Sequence, residues 1–194
     1  MGAKIRDMQK IERKSEILKQ ALNLFLTKEY STTTIADIAQ ACNMSTGLLF
    51  NYFDSKKSLY DELLEISFNK CAGIEEHLDS DASPETTLFN LCEFIINLIE
   101  KNPESAKMFM LVERSWRKTA TADKKTDQKN SRVNIIQKTI TAVKSGQEAG
   151  VFREGNTKAL VYAFWGAIIG LAEEIAYSPK KYYADAEWIL RLLK

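Results

Sequence analysis

Three cysteines and one histidine are the side chains best suited to nucleophilic, redox or metal chemistry in this sequence of 194 residues. Cys42, Cys71 and Cys92 lie far apart and form no C-x-x-C pair, and His77 has no second ligand at a metal-binding spacing. The motifs G-x-S-x-G and G-x-x-x-x-G-K are also absent. We therefore expect buried, reduced thiols, no metal site, no cofactor and no enzyme activity.

The composition predicts a soluble protein built from helices. Hydrophobic residues make up 45% and charged residues 27%, while 3 prolines and 8 glycines provide too few turns for an all-β fold. The N-terminus has no apolar signal segment, and the uncharged apolar run from Ala159 to Ala172 is too short for a bilayer of about 30 Å. We expect a cytoplasmic protein that does not bind membranes.

Charge is distributed unevenly along the chain. The net charge is +1, which neither favours nor excludes nucleic acid as a partner, but the residues up to Lys57 hold nine Lys and Arg against six Asp and Glu. The remainder of the chain is mildly acidic. A basic N-terminal segment allows DNA binding at one end without proving it.

Short helices with capping signals must position any DNA contacts. Apolar residues recur at helical spacing from Arg13 to Lys28, and Thr34 with Asp37 forms the pattern of a capping box for a second helix. Asn43 suits a tight turn, and Ser45 can cap a third helix that faces the core through Leu49 and Phe53. This order predicts a helix-turn-helix.

The rest of the chain predicts a larger helical body. The division falls near the fourth helix, giving a head at 1–54 and a body at 55–194. Residues 119–130 are polar and lysine-rich and predict a loop or a frayed helix end. The predicted body helices are Ser55 to about His77, Pro84 to about Lys101, one from Pro103, one ending at Ala149, Thr157–Tyr177 and Tyr182–Leu193.

One segment of the sequence carries a family pattern. It consists of Thr33 to Ala39, then Ala41 to Phe53, then Lys56 and Leu59, with Ile17-Leu18, Ala21 and Leu24-Phe25 before it. In order and spacing these residues resemble the DNA-binding domain of the TetR family. Gly150 to Arg153 and the small residues around Gly166 and Gly170 are similar to the C-terminal half of that family. The resemblance implies an all-α fold of about nine helices, with a three-helix DNA-binding head.

Three positions depart from the family pattern. Glu29 stands where the first helix usually ends with glycine, and Asn43 replaces the glycine of the turn. A left-handed backbone at Glu29 would cost roughly 1 kcal/mol or more. Phe50 replaces the usual tyrosine and removes a hydroxyl, whereas Tyr52 keeps one.

The resemblance also implies roles for individual residues. Phosphate contacts are expected at Thr34, Ser45, Tyr52 and Lys56, and base contacts at Thr46, Gly47, Leu48 and Phe50, with Asn51 in the same interface. Apolar side chains contact thymine methyl groups, so the resemblance predicts an operator that contains A·T pairs. The alternatives are helix caps at Thr34 and Ser45, a packed side chain at Phe50 or Tyr52, and a solvated lysine at Lys56.

Dimer formation and an effector pocket are implied for the body. By resemblance, the last two helices would form a four-helix bundle with a second copy, whereas the alternative is packing within one chain. The candidate interface residues are Ala163, Gly166, Ala167, Gly170, Trp188 and Leu192. The candidate pocket residues, which could equally be plain core, are Phe68, Phe89, Glu93, Phe94, Phe109, Met110, Trp116, Tyr162 and Trp165.

Together these features predict a ligand-responsive transcriptional regulator. We expect a homodimer that represses by binding double-stranded palindromic operator DNA and is released by a small, largely apolar effector. The alternative is a helical small-molecule or lipid-binding protein whose head does not bind DNA. Operator binding distinguishes the two.

Overall fold

The computed structural model describes residues 2–121, 127–178 and 184–194, and the side chains of 6–117, 133–178 and 184–194. All regular secondary structure in these ranges is helical, as predicted. The helices are α1 (Gly2–Thr27), α2 (Glu29–Thr32), α3 (Ile35–Ala41), α4 (Thr46–Phe50), α5 (Lys56–Cys71), α6 (Gly73–Leu78), α7 (Pro84–Glu100), α8 (Pro103–Thr121), α9 (Asp127–Glu148), α10 (Thr157–Tyr177) and α11 (Ala186–Leu190).

The chain packs as two compact units, Met1–Phe68 and Asn69–Lys194, which we call the head unit and the body unit. In the head unit α1 contacts α2 and α3, and α3 contacts α4. The head core contains the residues expected from the apolar spacing, because Ile17, Ala21, Ile38, Leu49 and Phe53 are all buried. This packing sets the orientation of α3 and α4.

Helix α1 is longer than the sequence pattern suggests. It begins at Gly2, eleven residues before the predicted start at Arg13. The added segment is rich in Lys, Arg, Glu and Gln, which have high helix propensity, and it contains no proline. Its side chains from Arg6 to Arg13 are exposed, so apolar periodicity carries no signal for this part of the helix.

Helix α7 is the centre of the body unit and contacts α6, α8, α9, α10 and α11. Ser83 caps its start by accepting from the backbone N–H of Thr86 at 3.2 Å, and Pro84 occupies the first turn as predicted. One stripe of α7 is exposed, at Asn90, Glu93 and Asn97, while its other sides pack against these neighbouring helices.

Several predicted boundaries differ from the structure. The fourth helix stops at Cys71 and a new helix begins at Gly73, where the Phe94 ring would lie 2.7 Å from an added Cβ. Helices α8 and α9 extend into the predicted loop at 119–130, of which residues 122–126 lie outside the described ranges. The start predicted for the last helix at Tyr182 also lies outside them, and α11 ends at Leu190.

Helix α10 is long and apolar enough, by length and composition alone, to cross a membrane. The expectation that this segment is too short considered only its uncharged run, whereas the helix continues from Thr157 to Tyr177. Core helices of soluble proteins meet the same criterion, and Val161, Phe164, Ile168 and Ala172 are buried within the body unit.

Candidate nucleic-acid interface and effector cavity

The predicted capping box forms at the start of α3. The Thr34 hydroxyl accepts from the Asp37 N–H at 3.1 Å, and the Asp37 carboxylate accepts from the Thr34 N–H at 2.8 Å and from its hydroxyl at 2.7 Å. Lys28 donates to the same carboxylate at 3.1 Å. The hydrogen bonds from Thr34, followed by the one from Lys28, lower the pKa of Asp37 from 3.8 to about 2. Thr34 is therefore a helix cap whose side chain is also exposed.

The turn between α3 and α4 is closed by a left-handed residue. Asn43 has φ 51°, its N–H donates to the Gln40 carbonyl at 3.0 Å, and the Met44 N–H donates to the Ala39 carbonyl at 2.9 Å. These two bonds form a Schellman motif, which asparagine tolerates better than other side chains. Glu29 has φ 66°, so the backbone strain expected at this departure from the family pattern is present.

Helix α4 presents an open, partly apolar surface. Ser45 caps it by accepting from the Leu48 N–H at 3.2 Å. Thr46 is exposed, and a Cβ added at Gly47 would meet no atom within 4 Å. Leu48 and Phe50 keep 41% and 48% of their surface exposed, so neither side chain is buried in the core. Apolar side chains left open on a recognition helix can contact thymine methyl groups.

The two residues after α4 lie beside this surface. Asn51 is exposed and its N–H continues the helix by donating to the Leu48 carbonyl at 3.2 Å. Tyr52 is half-buried, between the exposed Asn51 and the buried Phe53. A phenol held at the edge of the head can donate to a phosphate oxygen.

The Lys56 side chain forms contacts within the head unit. Its ammonium donates to the carbonyl oxygens of Tyr30 at 2.8 Å and Thr33 at 2.9 Å, and it lies 4.3 Å from the centroid of the Tyr30 ring. Lys56 is therefore not simply solvated, and it is not free to use all of its donors on DNA. Because an ammonium has three N–H groups, one donor is left for a further acceptor.

The thiols are placed for packing. Cys42, Cys71 and Cys92 are all reduced and buried, as expected. Burial raises the pKa of both the Cys71 and the Cys92 thiol to about 12, and burial followed by Glu16 raises the pKa of Cys42. These thiols stay protonated at neutral pH. Within the described ranges no three His, Cys, Asp or Glu side chains form a group that could hold a metal ion.

Four of the nine predicted pocket residues surround one cavity of about 90 Å³ in the body unit. Phe109 and Trp116 come from α8, and Tyr162 and Trp165 come from α10. Trp165 is held by a hydrogen bond from its indole N–H to the Thr139 hydroxyl at 3.3 Å. The remaining lining residues are Glu113, Arg117, Ile135, Ile136, Gly166 and Ile169.

An ion pair forms one wall of this cavity. Glu113 is only 5% exposed, and both of its carboxylate oxygens accept from Nε of Arg117, at 2.8 and 2.7 Å. Neither Glu113 nor Arg117 is among the pocket residues predicted from the sequence. The i, i+4 spacing of the two residues was the available signal. An apolar cavity with one compensated charge suits a small ligand with a single polar group.

The other predicted pocket residues do not line this cavity. Phe89 is half-buried and Glu93 is exposed, whereas Met110 is buried. Phe94 stacks on His77 with a centroid distance of 4.7 Å. Phe68 belongs to the head unit.

Apolar and small side chains remain open along α10 and α11. Ala163, Gly166 and Gly170 are exposed, and Ala167 is half-buried. Added Cβ atoms at either glycine would meet nothing within 4 Å. Large exposed side chains flank these positions, at Tyr162 with 61%, Tyr177 with 46%, Trp188 with 61% and Leu192 with 40% of their surface open. We call these residues the α10–α11 face.

Part of the head unit is similar to a known protein family. Residues 17–63 match the model of the bacterial regulatory proteins of the tetR family. The icaADBC biofilm operon negative regulator IcaR of Staphylococcus aureus is 33% identical over 90 residues, which are 45% of this chain and 48% of IcaR. The uncharacterised HTH-type regulator YerO of Bacillus subtilis is 38% identical over 71 residues, 34% of this chain and 25% of YerO. The chain therefore spans half or less of the length of these relatives.

Solved structures extend the similarity over both units. The TetR-family regulator PfmR of Thermus thermophilus has a TM-score of 0.58 at 23% identity, covering 90% of this chain and 92% of that one. The ketosteroid regulator KstR2 of Mycobacterium tuberculosis has a TM-score of 0.66 at 20% identity, covering 92% and 89%. At these identities the likeness establishes the fold.

Proposed function

We propose that this protein is a cytoplasmic repressor of the TetR family, because residues 17–63 match the family model and the fold is similar to those of solved TetR-family regulators. It binds a palindromic operator as a homodimer, and a small, largely apolar effector releases it. The observation that carries the proposal is the capped, exposed helix α4 inside the matched residues 17–63.

Sequence discrimination is assigned to the exposed surface of α4. Thr46, Leu48 and Phe50 offer methyl and ring contacts, and Gly47 allows the backbone to approach a base pair closely. Ser45 and Tyr52 carry hydroxyl groups that can donate to phosphates. The single hydroxyl hydrogen of Thr34 is already donated to the Asp37 carboxylate, so Thr34 would have to release that bond in order to donate to a phosphate. Lys56 contributes its remaining N–H to the same phosphate contacts. IcaR is named as a negative regulator, which supports repression.

DNA binding is tested by fluorescence anisotropy with duplexes that the wild-type protein selects from a random-sequence pool. We expect a preference over scrambled duplex that Leu48→Ala reduces, because truncation removes contacts made only to bases. Lys144→Ala is the matched control, since Lys144 is exposed on α9 in the body unit. Failure to select any sequence would refute the repressor and favour the ligand-binding alternative.

Homodimer formation is assigned to the α10–α11 face. Two glycines without neighbouring atoms allow close helix approach, and Trp188 and Leu192 supply apolar area. A dimer would set two heads at the spacing of operator half-sites, about one DNA turn of 34–36 Å or a multiple of it. Sedimentation equilibrium tests the assignment. Trp188→Glu should give monomers, and a wild-type monomer at micromolar concentration would exclude it.

The effector is assigned to the cavity between α8, α9 and α10. Its volume of about 90 Å³ is smaller than the roughly 150 Å³ of an engineered cavity that binds benzene, so it suits a ligand smaller than benzene, such as a short branched chain. Trp116 and Trp165 line it, whereas Trp188 does not, so tryptophan fluorescence can report occupancy.

The ligand test uses isobutyrate as the probe, because it is a short branched chain with one polar group and has no fluorescence of its own. Saturable quenching is expected in the wild type and in Trp188→Phe, and it should diminish in Trp165→Phe. Quenching lost equally in both variants would place the probe elsewhere. Tyr162 and Gly166 belong to both the cavity wall and the α10–α11 face, so a bound effector would alter dimer geometry and thereby operator affinity.

A further inference from the structure

A second charged surface lies in the head unit, apart from α4. It is a groove between the N-terminal half of α1 and Tyr52, which we call the α1 groove. The groove is lined by Arg6, Gln9, Lys10, Glu12, Arg13, Glu16 and Tyr52. All of these except Tyr52 precede the residues that match the family, which begin at 17. The family likeness therefore assigns nothing to this part of α1.

Many of the lysines in the head are already engaged within the chain. Lys14 pairs with Glu62 at 2.7 Å, and Lys28 pairs with Asp37 at 3.1 Å. Two further lysines also have partners within the head: Lys57 pairs with Asp61, and Lys56 donates to two carbonyl oxygens. These cations are wholly or partly compensated, which reduces the positive charge they can offer to DNA.

The three cationic side chains of the α1 groove differ from these lysines in their ion pairing. Arg6, Lys10 and Arg13 are exposed, and the structure gives them no ion pair to any residue that it describes. Their spacing of i, i+4 and i+7 puts them on one face of α1. Two acidic residues, Glu12 and Glu16, share the groove, so its charge is positive but small.

Packing holds this face of α1 next to Tyr52. Lys14 lies 5.2 Å from the centroid of the Phe53 ring and is tied to Glu62 on α5. Since Phe53 is buried and directly follows Tyr52, the cations and the phenol belong to one surface.

We propose that the α1 groove binds the DNA phosphates adjacent to those contacted by Tyr52. This inference rests on the DNA binding proposed above and adds a second contact surface to it. Guanidinium groups bind phosphate oxygens in a bidentate manner, and an ammonium binds them as a point charge. The contacts are independent of base sequence, so the groove strengthens binding and positions the head without selecting the operator.

The test is the salt dependence of DNA affinity for the triple variant Arg6→Gln, Lys10→Gln, Arg13→Gln. Each lost phosphate contact should reduce the slope of log affinity against log salt by about 0.9, and affinity at 0.1 M salt by about eightfold. The preference for selected over scrambled duplex should stay unchanged. Lys19→Gln is the matched control, because Lys19 is an exposed residue of α1 outside the groove.

A variant of opposite sign sharpens the test. Glu12→Gln removes a negative charge from the groove and should tighten DNA binding severalfold if a phosphate lies there. Phosphate ethylation interference should then identify phosphates whose modification weakens the wild type but not the triple variant. Thermal denaturation checks that all variants remain folded.

The outcomes separate this inference from the proposed function. A wild type that selects no DNA sequence refutes both. A wild type that binds its selected sequence, with the triple variant and Lys19→Gln giving the same slope, refutes the α1 groove alone. Loss of sequence preference in the triple variant also refutes it, since that result would assign base contacts to α1.

Discussion

The ammonium of Lys56 lies 2.8 Å from the carbonyl oxygen of Tyr30 and 4.3 Å from the centroid of the same residue's ring. A single residue of α2 thus binds the lysine through both its backbone carbonyl and its aromatic ring. Thr33 supplies a second carbonyl at 2.9 Å. The lysine joins the start of α5 to the α2 segment, so a residue expected to contact DNA also stabilises the head.

Replacing Lys56 by methionine should destabilise the protein as well as weaken DNA binding. Hydrogen bonds from a charged group contribute about 1.5–3 kcal/mol, and we expect a loss of about 2 kcal/mol in the free energy of unfolding. Urea denaturation measures the change. Lys57→Met is the control, because among the described residues Lys57 forms an exposed ion pair with Asp61, and its replacement should leave stability nearly unchanged. Equal effects of the two substitutions would show that Lys56 has no structural role.

Glu29→Gly should stabilise the protein. Glu29 has φ 66°, and a left-handed backbone costs an L-residue about 1–2 kcal/mol that glycine avoids. We expect a gain of about 1 kcal/mol, measured by urea denaturation, whereas Glu29→Ala keeps its Cβ and should give no gain. Asn43→Gly, at φ 51°, should gain less because asparagine tolerates this conformation. A larger gain at Asn43 than at Glu29 would contradict the strain argument.

Asp37 should make stability depend on pH in acid. Its pKa is about 2 in the folded head and 3.8 without the fold, so its contribution is complete above pH 3.8 and is lost as the pH falls towards 2. The difference in melting temperature between the wild type and Asp37→Asn should be constant at higher pH and shrink over that interval. Asp54→Asn serves as the control, since Asp54 is exposed. A difference that grows on acidification would reverse the assigned sign.

Gly170→Ala should stabilise the isolated chain and weaken the dimer. The added Cβ meets nothing within 4 Å, and alanine is favoured over glycine in a helix by about 1 kcal/mol. Close approach of a second α10 would be obstructed, so the dissociation constant in sedimentation equilibrium should rise. Gly146→Ala is the contrasting control, because its Cβ would overlap the Phe152 ring and should lower stability. An unchanged dimer in Gly170→Ala would place the interface elsewhere.

The helical caps and turns could be predicted because each depends on a few neighbouring residues. Thr34 with Asp37, Ser45, Asn43 and Ser83 with Pro84 all do in the structure what their types predict. These signals are local, since an exposed hydroxyl or a left-handed residue satisfies the backbone within one turn. The family pattern covers Thr34, Asn43 and Ser45 but not Ser83 and Pro84.

Features that depend on long-range packing could not be predicted in the same way. The Phe94 ring leaves no room for a Cβ at Gly73, twenty-one residues earlier in the chain, and the cavity combines α8, α9 and α10. Aromatic and methionine side chains on helices are candidates for a pocket wherever they occur, so the sequence could not separate Phe89 and Met110 from Phe109 and Trp116. The engagement of Lys56 is also a tertiary contact, without a signal in the sequence.

The exposed α10–α11 face makes operator binding by the proposed repressor depend on the concentration of the protein. If two copies must cover Trp188 and Leu192 before both heads can grip one operator, the occupied fraction of operators in dilute conditions rises with the square of chain concentration. A twofold change in synthesis would then alter occupancy about fourfold at low saturation. The cell could adjust the threshold of repression through expression of the protein alone, before any effector is present.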